Sequence, residues 1–516
     1  MKPADRVVIN TGIQYARVFI TMGISLYSMR LLLHALGAED YGIFNLVAGV
    51  ISMFAFFNTA IATSTQRFLS FHHGKEDAEL QKKIFNNSIW LHLLAGILVA
   101  IALEFAGLFL FTGFLNIPAD RVVAAKVVYH SICIAIFFSI ISMPFTSLLV
   151  ARENILWVAL LNTIEIILKL FAALLLMVID KDRLLIYGLL MPVLSLCSFL
   201  LNAACCFKKY NARVFPSLNG YDRGLIKELT SFAGWNLFGS LCSTARYEGL
   251  AILLNLFFGA VINAAFGIAN QVAAQLSFFS ATMLRTINPQ IMKSEGANDR
   301  KRMLRLSMTA SKFGFYLLAF FAVPCVFEMP AILGIWLKNV PDNTVIFCSL
   351  VLVGTLVNQL TIGLEAALQA TGKVKVYQLV VGLLLLCNIP LAYILLQNGF
   401  PAYTALVCYA VIELLACGTR LYLAKKIAGL SVREYFYRVL AREIIPLASI
   451  IITGFLVTHY MNFAYRFLLT GMASVTVFSI SIYLAGLCGD EKIILHQIFD
   501  TFTKRLRWQK SRSFKK

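Results

Sequence analysis

The stretch AAKVVYHSICIAIFFSIISMPFTSLLV, residues 124–150, has one lysine near its start and no Asp, Glu or Arg. A bilayer-spanning helix needs about 20 mainly apolar residues, so this run reads as a membrane span. Moving outward, the reading repeats along the chain. Apolar runs lie near 9–34, 41–66, 84–112, 124–150, 154–179, 184–207 and 229–256 in the first part. Others follow near 260–288, 306–335, 344–371, 376–397, 403–426, 443–460 and 465–487. The expectation is an all-α polytopic membrane protein of about fourteen transmembrane helices. The chain's 516 residues are 59% hydrophobic and 14% charged, against about a quarter charged in a soluble protein. Length alone would allow roughly three soluble domains, but the polar surface to cover them is missing. Short connections leave no room for an extramembrane domain.

The chain has 45 Lys and Arg against 26 Asp and Glu, a formal charge of +19. In a soluble protein such an excess suggests nucleic acid; between membrane spans it records topology, because basic loops stay in the cytoplasm. With the N-terminus inside, cytoplasmic segments hold 32 of the basic residues and periplasmic ones only 6. Both termini are therefore expected in the cytoplasm, with no nucleic-acid partner. The basic tail 488–516, with Trp508 and Phe514 interleaved, suits anionic membrane lipid. The eleven cysteines fall mostly in apolar runs with no CxxC, as small buried side chains rather than a disulfide framework or metal site. The first apolar run contains Arg17 and Arg30 and is too long for a signal peptide.

An internal repeat divides the chain. Gly42-Ile43-Phe44-Asn45 is echoed by Gly267-Ile268-Ala269-Asn270, and each follows a Gly-Ala step, Gly37-Ala38 and Gly259-Ala260. Leu148–Arg152 is echoed by Ala367–Thr371 at nearly the same offset. These echoes join helices of equal rank, which points to two six-helix lobes in the same orientation. The expected division is an N-terminal lobe over 1–207 and a cytoplasmic linker over 208–228, whose Asp222–Leu229 segment reads as a short amphipathic surface helix. A C-terminal lobe over 229–428, two added helices over 429–487 and the basic tail follow.

Gly37-Ala38-Glu39-Asp40-Tyr41-Gly42-Ile43-Phe44-Asn45-Leu46-Val47, then Phe56-Phe57-Asn58 and Gln66-Arg67-Phe68, together with this 6+6+2 layout, resemble the multidrug/oligosaccharidyl-lipid/polysaccharide (MOP) flippase superfamily. The closest likeness is to its bacterial polysaccharide branch, the flippases of O-antigen and capsule repeat units. The resemblance implies transfer of an undecaprenyl-pyrophosphate-linked oligosaccharide between leaflets of the bacterial inner membrane. It also implies alternating access of a cavity between the lobes, ion coupling by H+ or Na+, and other glycan-assembly proteins as partners.

Ionisable groups inside spans are costly and mark pathways or pairs. Of the basic ones, Arg285, Lys312 and Arg420 lie near span ends and are expected to snorkel, and Arg30 likewise. Arg17, Lys169 and Arg246 lie deeper. Lys169 follows Glu165 by four residues, on one helix face, so the two read either as a self-paired strut or as a coupling pair. Arg17 has no acid on its helix, and Glu248 lies about 200° around from Arg246. A guanidinium suits a diphosphate, so Arg17 and Arg246 are the candidate pyrophosphate clamp; the alternative is that each pairs with a Glu on another helix. The membrane acids are Glu104, Glu165, Glu248, Glu328, Glu365 and Glu413, with Glu248 the first candidate for coupling. Gln14, Asn58, Asn236, Gln271 and Gln275 are candidates to line a cavity against sugar hydroxyls, or to join helices by hydrogen bonds.

Other classes fit less well. No GxxxxGK[ST] loop is present, so nucleotide hydrolysis of that kind is excluded. A membrane glycan polymerase or ligase would need sizeable outer loops bearing catalytic groups, and the longest here is about 113–123. No cofactor or metal motif stands out, and an enzyme is not expected. A multidrug or cation exporter of the same fold is the main alternative.

Overall fold

The computed structural model describes residues 3–52, 55–111, 117–179, 181–210, 221–337, 340–463 and 465–493; side-chain environments are described for only part of 3–56. Among these residues there are helices and no strands. The first half comprises α1 (Pro3–Ser52), α2 (Ala55–Gly74), α3 (Ala78–Phe109), α4 (Val122–Ala151), α5 (Ile155–Val178) and α6 (Arg183–Tyr210). Next come α7 (Arg223–Phe258), α8 (Ala260–Gly296), α9 (Arg300–Phe327), α10 (Met329–Leu337), α11 (Thr344–Gln359) and α12 (Ile362–Ala370). The chain continues through α13 (Val374–Leu386), α14 (Asn388–Gln397), α15 (Thr404–Ala428), α16 (Val432–Tyr435), α17 (Ala441–Tyr460) and α18 (Arg466–Ser481). Among the described residues, nine helical stretches are long and apolar enough to cross a bilayer. A tenth is the pair α11 and α12, bent by 42°.

Two compact units emerge. One comprises 10–241 with 292–299, the other 1–9, 242–291 and 300–516. In the first, α4 packs against α2, α3, α5 and α6, and half of its apolar window is buried, against 22% for α3, α5 and α6. Its core gathers Val99, Leu103, Val128, Tyr129, Leu176 and Leu184. In the second, α9 is the enclosed helix, 61% buried over its apolar window, packed against α11, α12, α17 and α18. The large apolar side chains left exposed, such as Leu98, Phe105, Leu256, Leu414 and Ile452, are what a hydrocarbon solvent demands.

The Gly-Ala steps of the repeat share one backbone device. Gly37 and Gly259 have φ of +77° and +80°, a region that a side chain strains and glycine occupies readily. Each lets the chain turn between long helices without a loop. The expected surface helix at Asp222–Leu229 is corrected: residues from Arg223 are the first turns of α7. Asp222 caps that helix, its carboxylate accepting from the Gly224 and Leu225 amides at 2.8 and 3.1 Å. Asp222 N–H donates to Asn87 at 2.9 Å, and Ser64 donates to the Leu229 carbonyl at 2.9 Å. With its polar groups held in this way, the segment packs into the first unit rather than lying apart.

Candidate functional site

The second unit holds a buried charge network. Arg246, on α7, is 3% exposed, and its Nη1 donates to Glu413 Oε1 on α15 at 2.6 Å, with the glutamate 1% exposed. The second carboxylate oxygen accepts from Asn358 Nδ2, on α11, at 3.0 Å. Arg420 lies seven residues, two helical turns, beyond Glu413 on the same face of α15, its Nη1 3.9 Å from Glu413 Oε2 and 3.4 Å from Thr361 Oγ1. Tyr377 and Glu365 lie within electrostatic reach of Arg420, and Glu365 also accepts from Gln369 at 3.2 Å.

Aromatic rings complete the surroundings of Arg246. Its guanidinium carbon lies 4.7 Å from the Tyr409 ring centroid and 5.0 Å from that of Tyr247, distances at which the ring quadrupole attracts a cation. The two tyrosine hydroxyls are 3.3 Å apart. Tyr409 reaches this place because Gly354 on α11 presents no side chain: a Cβ there would overlap the Tyr409 ring. Five helices, α7, α11, α12, α13 and α15, thus converge on two guanidiniums and two carboxylates, a balance of charge that permits burial. The Nε atoms of Arg246 and Arg420 have no hydrogen-bond partner among the described residues, so the cluster retains donor capacity that an anion could use.

The other sequence candidates are dispersed. Glu248 is exposed, turned away from the Arg246 partnership as two-residue spacing requires. Lys169 and Glu165 form their own pair on α5 at 2.7 Å, with Ser198 donating to the second glutamate oxygen at 3.0 Å. Arg17, on α1, is half-buried and has an interaction partner. The side chain of Gln14 lies outside the described residues. Asn58 is half-buried, and its Oδ1 has no hydrogen-bond partner among the described residues. Asn236 is buried, and its Nδ2 donates to the Phe232 carbonyl at 3.0 Å. Gln271 and Gln275 are exposed on α8.

Two expected snorkelling residues are not at the surface. Arg420 is 3% exposed and Lys312 is 1%. Lys312 Nζ bonds Glu491 Oε2 at 2.5 Å, as Arg420 faces Glu413. A buried counter-charge removes the need to reach water; for Lys312 it comes from a distant segment, where sequence distance hides it. Arg285 is exposed. The one available signal for the α15 pair was the seven-residue spacing of Glu413 and Arg420, which puts both on one helix face. No group of three or more His, Cys, Asp or Glu that could hold a metal ion occurs among the described residues.

A family described as polysaccharide biosynthesis protein matches residues 7–295. No curated protein matches significantly. Among solved structures, an outward-facing multidrug resistance MATE family transporter of the MOP superfamily aligns with a TM-score of 0.71 at 14% identity, covering 83% of this chain and 97% of that one. A MOP superfamily transporter from Pyrococcus furiosus, described as having a binding pocket of reverse polarity, aligns at 0.69 and 14% identity, covering 83% and 96%. MATE in the bent conformation aligns at 0.68 and 13% identity, covering 83% and 98%. At these identities the likeness is one of fold.

Proposed function

The chain belongs to the polysaccharide biosynthesis family of the MOP transporter superfamily, and from that premise we propose that it is a lipid-linked oligosaccharide flippase. It moves undecaprenyl-pyrophosphate-linked repeat units from the cytoplasmic to the periplasmic leaflet of a bacterial inner membrane, with both termini in the cytoplasm. The family match over residues 7–295 carries this reading. Arg17 and Arg246 serve as diphosphate-binding residues. For Arg246, the fork that holds Glu413 is also the group suited to phosphoryl oxygens. Carboxylate and diphosphate therefore compete for one guanidinium.

That competition suggests the coupling. A coupling cation held by Glu413 would leave Arg246 and Arg420 facing Glu365 alone, and the net positive charge would draw in a dianionic headgroup. Glu413 replaces Glu248 as the coupling residue in this account, because Glu248 is exposed and makes no ion pair with Arg246. A drug or cation exporter of the same fold would want available acids, whereas the buried Glu413 is already neutralised by Arg246. To test the reading, the protein is depleted in its host and the sidedness of lipid-linked glycan is assayed. Accumulation on the inner leaflet supports it. Unchanged outer-leaflet display, with altered susceptibility to cationic drugs, supports the exporter instead.

A further inference from the structure

A second basic site lies away from the Arg246 network, where α9 begins, α16 leads into α17, and the chain leaves α18. A cavity of about 530 Å³ is lined there by Arg305, Arg438, Arg442, Asp490 and Tyr437. Three guanidiniums and one carboxylate line it, and Glu434, beside the lining, also pairs with Arg438 Nε at 3.4 Å. The frame is fastened at several points. Arg438 Nη1 donates to Asp490 Oδ2 at 3.0 Å and Arg442 Nη1 to the Ala485 carbonyl at 3.0 Å. Tyr316 donates to the Arg442 carbonyl at 2.9 Å, and Glu491, held by Lys312, accepts from the Cys488 amide at 2.8 Å.

Two π-helical turns, Phe436–Leu440 and Ile482–Gly486, flank this cavity. Such turns are rare and concentrate at functional sites. Here the first carries Tyr437 and Arg438 to the lining, and the second ends just before the short helical segment, residues 489–493, that bears Asp490. Beside the basic lining, Phe436, Tyr437, Tyr483 and Leu484 are 47%, 58%, 41% and 66% exposed. Aromatic side chains of this kind favour the headgroup level of a bilayer. Charged lining and exposed apolar flank therefore lie together, as an amphiphile would require.

We propose that this cavity binds the phosphodiester headgroup of an anionic phospholipid, with the acyl chains running along Phe436, Tyr437, Tyr483 and Leu484. The surrounding loops belong to the basic set that topology assigns to the cytoplasm, and basic pockets between helices on that side suit such headgroups. Arg305 and Arg442 supply donors to the phosphate, and Arg438 is held by Asp490 to define the cavity's floor. The site is independent of which substrate the protein carries. Free phosphate or a polyprenyl diphosphate offers the same phosphoryl oxygens, so the test separates these sources.

The full-length protein is purified, and retention of phosphatidylglycerol, cardiolipin and phosphatidylcholine of matched chains is compared by native mass spectrometry. The expected result is a several-fold preference for the two anionic lipids, lost in Arg305→Gln/Arg442→Gln and reduced in Arg305→Gln alone. Millimolar inorganic phosphate should not displace them. The single variant, at an exposed position, decides the matter if the double variant fails to fold. Equal retention of phosphatidylcholine, or a preference unchanged in folded variants, would overturn the proposal. Displacement by inorganic phosphate would assign a free-anion site, and preferential displacement by undecaprenyl diphosphate a substrate site; either would also overturn it.

Discussion

Arg246 and Glu413 meet at 2.6 Å with 3% and 1% of their side chains exposed, joining α7 to α15 through the least solvated ion pair of the second unit's network. Removing one partner of a buried pair costs about 3–5 kcal/mol, whereas replacing both by apolar residues of similar size is often neutral. Glu413→Ala should therefore lower the melting temperature markedly, and Arg246→Met/Glu413→Leu should recover most of the loss. Thermal unfolding in detergent measures both. If the double variant is stable yet inactive in export, the pair serves transport rather than folding.

Gly354 and Tyr409 give a packing prediction. A methyl group at Gly354 would overlap the Tyr409 ring, and overpacking of this kind costs about 1–3 kcal/mol. Gly354→Ala should destabilise the protein by that amount and move Tyr409 off the Arg246 guanidinium. Tyr409→Leu in the same chain should restore part of the stability. Independent, additive effects of the two changes would show that the contact is not the cause.

Arg466 holds Glu328 with two parallel bonds, Nε to Oε1 at 2.8 Å and Nη2 to Oε2 at 3.1 Å, while Thr470 donates to Oε1 at 2.7 Å. Lysine cannot reproduce that fork. Arg466→Lys should cost about 1.5–3 kcal/mol, a charge-assisted hydrogen bond's worth, and Arg466→Ala more, because Glu328 is 3% exposed. Unfolding curves for the two variants rank them; equal stability of Arg466→Lys and the parent protein would contradict the bidentate account.

His72 provides a pH signature. Burial first, then the nearby Lys75 and Arg67 charges, lower its pKa from 6.5 to about 4. The unfolded chain therefore takes up a proton on His72 at a higher pH than the folded one. Stability linked to this group is full above about pH 6.5 and declines as the pH falls to about 4. His72→Gln should flatten that part of the stability profile, measured as melting temperature against pH. An identical slope in the variant would exclude His72 as a source.

The helical spans were legible because solvent dictates them: hydrocarbon forces long apolar runs, and α4, read as 124–150, is Val122–Ala151. The Gly-Ala steps at 37 and 259 were visible as echoes, and positive φ at both gives them a shared cause. Asp222 was hidden, since a cap followed by an amphipathic stretch reads alike at a surface helix or at the start of a long one. Arg246 stood out because Glu248, two residues along the same helix, lies about 200° around it and cannot pair with it. Its partner could not be identified, because Glu413 is 167 residues away in sequence and only packing chooses it among the membrane acids. Arg420 and Lys312 were misread because position near a span end predicts an escape to water, whereas a counter-charge keeps each buried: Glu413 on the same helix for Arg420, and Glu491 from another segment for Lys312.

The most direct test is a reconstitution. Purified protein in proteoliposomes receives a polyprenyl-diphosphate oligosaccharide in one leaflet, and its appearance in the other is followed with a glycan-specific enzyme that cannot cross the membrane. The account predicts protein-dependent transfer, greatly reduced in Arg246→Ala and partly kept in Arg246→Lys, with its dependence on the coupling ion altered in Glu413→Gln. Transfer no faster than in protein-free vesicles, under the pH gradients and ion conditions that energise transport, would contradict it.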